Sequence, residues 1–201
     1  MIRVGIVEDQ VMLRSAIVAL LELEPDITVV VQLDNGDTAV ETLSDGCCDV
    51  LLLDVEMPGA SGLDVAEALQ KLTDAPLVMM LTTFHRPGYV RRALEAGARA
   101  YITKDSPVSD IAAAIRRVAA GEILFSGEQL HLAMSSGGCP LSKRERDVLR
   151  AAQLHDTVAE IAEHLHLSVS TVSNYITVAI AKTNSRNRVQ AIRIARDRGW
   201  L

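Results

Sequence analysis

Five short apolar runs, Arg3–Val7, Ile27–Val31, Val50–Leu53, Leu77–Leu81 and Ala98–Ile102, recur through the first 120 residues. The first four are rich in Val, Ile or Leu at neighbouring positions, the pattern of a strand buried on both faces, and the fifth is a shorter, Ala-containing run. Between them the period changes. Val11, Leu13, Ile17, Leu20 and Leu21 are spaced for one face of a helix, and similar stretches fall near 37–45, 62–72, 87–96 and 107–120. Parallel strands need crossovers of a dozen or so residues, usually helical. Five β-then-α units therefore predict a doubly wound α/β sandwich with a five-stranded parallel sheet.

The pattern stops near residue 120. Residues 135–140 read Ser-Ser-Gly-Gly-Cys-Pro, a linker composition. Beyond them no strand period appears, and four short helices are expected near 142–153, 157–165, 169–182 and 187–198. Charge divides at the same place. Residues 1–140 carry 10 basic and 20 acidic groups, and residues 141–201 carry 10 basic and 6 acidic. The whole-chain charge of −6 thus hides a net −10 and a net +4. The expected organisation is a domain over 1–120, a linker over 121–140 and a small all-α domain over 141–201. No apolar run approaches the ~20 residues of a bilayer span, so membrane insertion is not expected. Three cysteines, two of them adjacent (Cys47, Cys48, Cys139), suit reduced structural thiols and a cytoplasmic setting. The N-terminus reads as a strand rather than a leader peptide.

In an open parallel sheet, ligands bind beyond the carboxyl ends of the strands. Those ends supply Glu8 and Asp9, then Asp54, Thr82 and Lys104. Three carboxylates at one edge repel one another unless a cation joins them, and hard oxygen ligands in a wet crevice suit Mg2+. The main-chain carbonyl of Glu56, in the turn after Asp54, is a candidate further ligand. Lys104 is one of only 4 lysines beside 16 arginines, and a compact ammonium fits a tight phosphoryl pocket. The set predicts an aspartyl-phosphate site. Asp54 attacks phosphorus, Mg2+ and Lys104 neutralise the phosphoryl oxygens, and the Thr82 hydroxyl donates to one of them. A phosphatase of the haloacid-dehalogenase kind would place a second Asp two residues after the nucleophile, where this chain has Glu56.

In the basic part, Ser142 with Glu145 forms a capping-box pattern. Ser168 caps a later helix whose apolar stripe is Val172, Ile176 and Ala179–Ile180. The opposite face carries Ser170, Ser173, Asn174 and Thr177, which can bond bases or phosphates. Periodicity alone leaves two readings open, a helix-turn-helix or a small dimerisation bundle.

These residues carry two resemblances. Glu8-Asp9, Asp54 with Met57-Pro58-Gly59, Leu81-Thr82-Thr83 and Tyr101 three residues before Lys104 resemble a two-component receiver domain of flavodoxin-like fold. The likeness implies that a histidine kinase phosphorylates Asp54 and that Thr82 and Tyr101 form the switch, the ring following the hydroxyl inward. Leu141-Ser142 with Arg144-Glu145, Glu160-Ile161-Ala162, Ser168 with Thr171-Val172 and Asn174, then Lys182, Arg188 and Ala191, are similar to the NarL/FixJ/LuxR DNA-binding domain. Together they imply a phosphorylation-controlled transcription regulator, not an enzyme. Its implied partners are double-stranded DNA, a second copy on phosphorylation, and RNA polymerase. A DNA-binding regulator indifferent to phosphorylation is the alternative.

Several positions depart from these patterns. Asp105 stands where receivers commonly have proline, so no cis-proline is expected. Ser170 and Ser173 replace frequent lysines, which shifts expected phosphate contacts to Lys143, Arg144, Lys182, Arg186 and Arg188. Thr183 and Ser185 occupy usually apolar slots and predict a marginally stable domain.

Overall fold

The computed structural model describes residues 1–83, 87–135 and 138–201. Ser136 and Gly137 of the Ser-Ser-Gly-Gly stretch lie outside the described residues. The chain forms two compact units.

The first unit holds five parallel strands: β1 (Ile2–Val7), β2 (Ile27–Leu33), β3 (Val50–Asp54), β4 (Leu77–Thr82) and β5 (Ala100–Thr103). Their order is β2-β1-β3-β4-β5, so the winding reverses between β1 and β3. The strand period of two sorts the core into two layers. Val7, Leu51, Leu53, Val78 and Met80 pack with residues of α2 (Ala39–Thr42), α3 (Gly62–Leu69) and α4 (Pro87–Glu95). Val4, Ile6, Val50, Leu52, Met79 and Leu81 pack with α1 (Val11–Leu21) and α5 (Val108–Ala119). Helices therefore cover both faces, as a doubly wound sheet requires.

Three local expectations change. On α1, Ile17 and Leu21 are buried with Leu13 and Val18 against them, whereas Val11 and Leu20 are exposed. Helix α2 is only four residues long. The fifth strand begins at Ala100 rather than Ala98, because α4 ends in a Gly97 turn. Gly97 has φ +74°, and Ala98 N–H returns to Ala93 O at 2.9 Å, a helix stop that favours glycine.

The stretch expected as a linker is structured over much of its length. Leu124 bridges to Ala100 at the β5 edge, its N–H donating to Arg99 O at 2.6 Å. Helix α6 (Gly127–Ser135) follows. Ser126 and Gln129 cap its start reciprocally, Ser126 N–H on Gln129 Oε1 and Gln129 N–H on Ser126 Oγ. The Gln129 amide nitrogen also donates to Tyr101 O at 2.9 Å.

The second unit is helical: α7 (Lys143–Leu154), α8 (Val158–His164), α9 (Val169–Lys182) and α10 (Arg188–Asp197). Ser142, Thr157, Ser168 and Asn187 each accept a backbone N–H as N-caps. Leu141, Leu149, Ala179, Ala191, Ala195 and Trp200 form one core patch. Val148, Ala152, Ile161, Val172 and Ile176 form another. Trp200 is buried, as expected of a packing anchor.

Candidate functional site

The reversal between β1 and β3 opens a crevice at their carboxyl ends. Glu8 follows β1 and Asp54 closes β3, and both are buried, at 0 % and 2 % exposure. Carboxylate oxygens of Glu8, Asp9 and Asp54 lie within 4.8 Å of one another. Lys104, placed after β5 by its N–H on Thr82 O (2.8 Å), sends its ammonium between two of them. Nζ donates to Glu8 Oε1 at 2.9 Å and stands 2.8 Å from Asp54 Oδ2.

Burial dominates the electrostatics of Asp54. It pushes the carboxyl up to about 6, against the Lys104 hydrogen bond and with the nearby charge of Glu8. Lys104 is opposed by its own burial, but its bonds to Asp54 and Glu8 hold its pKa above the ordinary lysine value. Three carboxylates face one ammonium, and Asp9 Oδ1 is buried without a hydrogen-bond partner among the described residues. Hard oxygens, surplus negative charge and an unmatched acceptor fit a divalent cation.

The turn after Asp54 is closely supported. Glu56 N–H donates to Asp54 Oδ1 at 3.2 Å. Val55 N–H reaches Leu81 O, and Gly62 N–H reaches Val55 O. Residue 62 must be glycine, since a Cβ there would stand 1.8 Å from Asp54 O. Thr82 and Tyr101 are both buried, so the Tyr101 ring already lies inward, in the apolar cluster with Tyr89, Val90 and Ala133.

The structure thus brings Glu8, Asp9, Asp54 and Lys104 together, with Glu56 and Thr82 beside them. Sequence reasoning missed three supports. Tyr89 Oη donates to Glu56 Oε1 at 3.1 Å. Arg92 joins α4 to Asp64 and Glu67 of α3. Gln129 bonds to β5; its Ser126-x-x-Gln129 spacing is a readable capping pattern. Cys48 is a core thiol pushed up to about 12 by burial, consistent with a structural role.

In the helical unit, Ser170, Ser173, Asn174 and Thr177 of α9 are exposed on the side away from Val172 and Ile176. Thr171 is half-buried, its hydroxyl sharing a hydrogen bond with Ser168. Arg186 is exposed, and Arg188 donates to Asp156 O. Lys182, expected to meet a phosphate backbone, is exposed and donates to both oxygens of Glu145, each at 2.9 Å. The expected weakness at Thr183 and Ser185 also changes. The buried Thr183 hydroxyl donates to Ala179 O at 2.8 Å and meets Ser185 Oγ at 2.9 Å. A buried hydroxyl with partners carries no desolvation penalty of the unpaired kind.

A switch-point crevice of acids and lysine in a parallel α/β unit, followed by four helices whose third shows a polar face, defines a response regulator. Comparison with known proteins agrees. Residues 4–116 match the response regulator receiver domain, and residues 139–195 match the bacterial regulatory proteins of the luxR family. The chain belongs to the LuxR-family response regulators, which are transcriptional regulators of two-component systems. It is 45 % identical to the uncharacterized transcriptional regulatory protein YvfU of Bacillus subtilis over the full length of both chains. It is 40 % identical to the transcriptional regulatory protein DesR of the same organism, again over both full lengths. The crystal structure of a LuxR-family DNA-binding response regulator from Staphylococcus aureus is similar at 34 % identity and TM-score 0.56, covering 59 % of this chain and 99 % of that one. Among the described residues no helix is long and apolar enough to cross a membrane.

Proposed function

We propose that Asp54 is a phosphoacceptor whose modification by a histidine kinase promotes dimerisation and controls sequence-specific transcription. The observation that carries this reading is the buried Glu8–Asp9–Asp54 cluster bridged by Lys104 at the β1/β3 crevice. An Asp54 carboxylate oxygen attacks phosphorus, the bond from phosphorus to the kinase imidazole breaks, and the imidazole leaves with the electron pair. Glu8, Asp9, Asp54 and the Glu56 carbonyl would hold Mg2+, which when bound supplies positive charge against the phosphoryl oxygens. Lys104 pairs with one of those oxygens and the Thr82 hydroxyl donates to another, with Tyr101 as the second switch residue. Val11 and Met12 start α1 just beyond Asp9 and are exposed, an apolar edge on which a kinase can dock.

Residues 1–120 and 141–201 are read as the receiver and the DNA-binding domain. The exposed face of α9, with Ser170, Thr171, Ser173, Asn174 and Thr177, enters the major groove. Lys143, Arg144, Arg186 and Arg188 supply phosphate contacts, with Lys182 acting first as the partner of Glu145. RNA polymerase is the expected downstream partner, and the cytoplasm the expected setting. The chain acts as a regulator rather than as an enzyme.

Acetyl phosphate with Mg2+ tests the first step. Intact-mass measurement should show one phosphoryl adduct that Asp54→Asn lacks. Selecting genomic DNA fragments with and without beryllofluoride tests the second. Identical fragments at identical affinity in both arms would favour a phosphorylation-independent regulator.

A further inference from the structure

Residue 56 faces two ways. Its N–H donates to Asp54 Oδ1 at 3.2 Å, inside the acid crevice. Its carboxylate reaches out and accepts from Tyr89 Oη at 3.1 Å. Tyr89 lies in the first turn of α4, and its ring is only 4 % exposed within the main apolar cluster. A ring packed that way cannot follow a wandering carboxylate, so its hydroxyl is a fixed point. The helix that carries it is fixed too. One turn further on, the buried Arg92 donates to Glu67 Oε1 at 2.7 Å and Asp64 Oδ1 at 3.0 Å on α3. Helix α3 in turn begins at Gly62, whose N–H holds Val55 O at 3.2 Å. The turn that follows Asp54 is therefore tied to β4 and α3 by main-chain bonds, and at residue 56 to α4 by a side chain.

We propose that Tyr89 is a positioning residue for the Asp54 reaction: by fixing the Glu56 side chain it orients the main chain of residue 56 against Asp54, raising both the affinity for the divalent cation and the rate of phosphoryl transfer. The proposal rests on the reading of Asp54 as phosphoacceptor. It assigns work to a residue that never touches the phosphoryl group, 33 positions away from the one it holds. Preorganised donors and ligands accelerate a reaction because they need no rearrangement as charge develops.

The test uses the full chain as wild type, Tyr89→Phe, Glu56→Ala and the double variant. Two quantities are measured: Mg2+ affinity by calorimetric titration, and the initial rate of Asp54 adduct formation from acetyl phosphate at saturating Mg2+. Tyr89→Phe keeps the packed ring and removes only the hydroxyl, so circular dichroism should be unchanged. Mg2+ affinity and rate should each fall about tenfold, the effect of one hydrogen bond to a charged group. Glu56→Ala keeps the main chain and should fall at least as far. The double variant should be no worse than Glu56→Ala, because the two residues act as one unit. Wild-type behaviour in Tyr89→Phe would overturn the proposal. So would an undiminished Tyr89→Phe effect in the Glu56→Ala background, since the hydroxyl would then act by another route. A wild-type chain that forms no adduct would remove the phosphoacceptor reading itself, and the proposal with it.

Discussion

Glu145 concentrates several interactions of the helical unit in one carboxylate. Its Oε2 accepts Ser142 N–H at 2.7 Å as the return arm of a capping box, while Ser142 Oγ accepts Glu145 N–H. Both oxygens also lie 2.9 Å from Lys182 Nζ. The start of α7 is thus tied to the end of α9. Glu145→Ala removes the capping arm, about 1 kcal/mol, and a charge-assisted bond whose value at a half-exposed lysine sits at the low end, about 1–1.5 kcal/mol. The loss should total about 2–2.5 kcal/mol. Glu145→Gln keeps the cap, since glutamine serves in a capping box, and should lose only about 1 kcal/mol. Trp200 is the only tryptophan of the chain and lies buried in this unit, so its fluorescence in urea reports this domain alone. At a slope of about 1 kcal/mol per molar urea for a domain this small, the midpoint should fall by about 2–2.5 M for alanine and about 1 M for glutamine. Acid provides an independent arm. Burial pushes the Glu145 carboxyl up, but the bonds from Lys182 and Ser142 outweigh it and hold it below its ordinary 4.5. Its stabilisation is therefore whole above pH 4.5 and is lost as pH falls through the lower folded-state value. The wild-type midpoint should drop in that window more than that of Glu145→Gln. Equal shifts for both variants, each under about 0.5 M, would refute the reasoning.

Other perturbations follow from single contacts. Gly62→Ala places a Cβ 1.8 Å from Asp54 O; since the obstacle is main chain, it should cost about 3 kcal/mol or more by thermal denaturation of the receiver and reduce the Asp54 adduct. Gln129→Glu retains an acceptor for Ser126 N–H but cannot donate to Tyr101 O; amide exchange over 127–133 should quicken about tenfold, and unchanged protection would show that the capping bond alone holds α6. Thr183→Val removes the hydroxyl that bonds Ala179 O and Ser185; urea unfolding followed by Trp200 should show a loss of about 1 kcal/mol, whereas a gain would mark Thr183 as a weak point.

The acid crevice was legible in the sequence because two short-range signals coincided. Long apolar runs located the strand ends, and residue types with distinctive chemistry stood at those ends. What stayed hidden depends on partners far along the chain. Helix α6 carries no continuous apolar stripe; Leu130 and Met134 are exposed, and docking relies on Ala133 and the Gln129 amide. The partner of that amide is the main-chain oxygen of Tyr101, an acceptor present at every residue and therefore invisible to a motif. Val11 and Leu20 looked equivalent to Ile17 and Leu21, because spacing identifies a helix but only the packed sheet and α5 decide which apolar residues are covered.

Lys182 shows the same limit in charge. A lysine at the end of a helix expected to enter the major groove reads as a phosphate contact, yet Glu145, 37 residues earlier, engages it. That pairing has a consequence for DNA binding. Lys182 is the only lysine or arginine within α9, so the helix itself brings little counterion release, and the positive field must come from its flanks. Arg186 is exposed, and Arg188 donates to a neutral carbonyl, that of Asp156, with no ion pair among the described residues. Removing either arginine should lower the slope of log affinity against log salt by about one. Lys182→Met, measured where the domain is still folded, should leave the slope nearly unchanged while lowering the urea midpoint. A slope that falls by about one in Lys182→Met would mean that DNA outcompetes Glu145 for this lysine, and the capped α7–α9 tie would then have to open on binding.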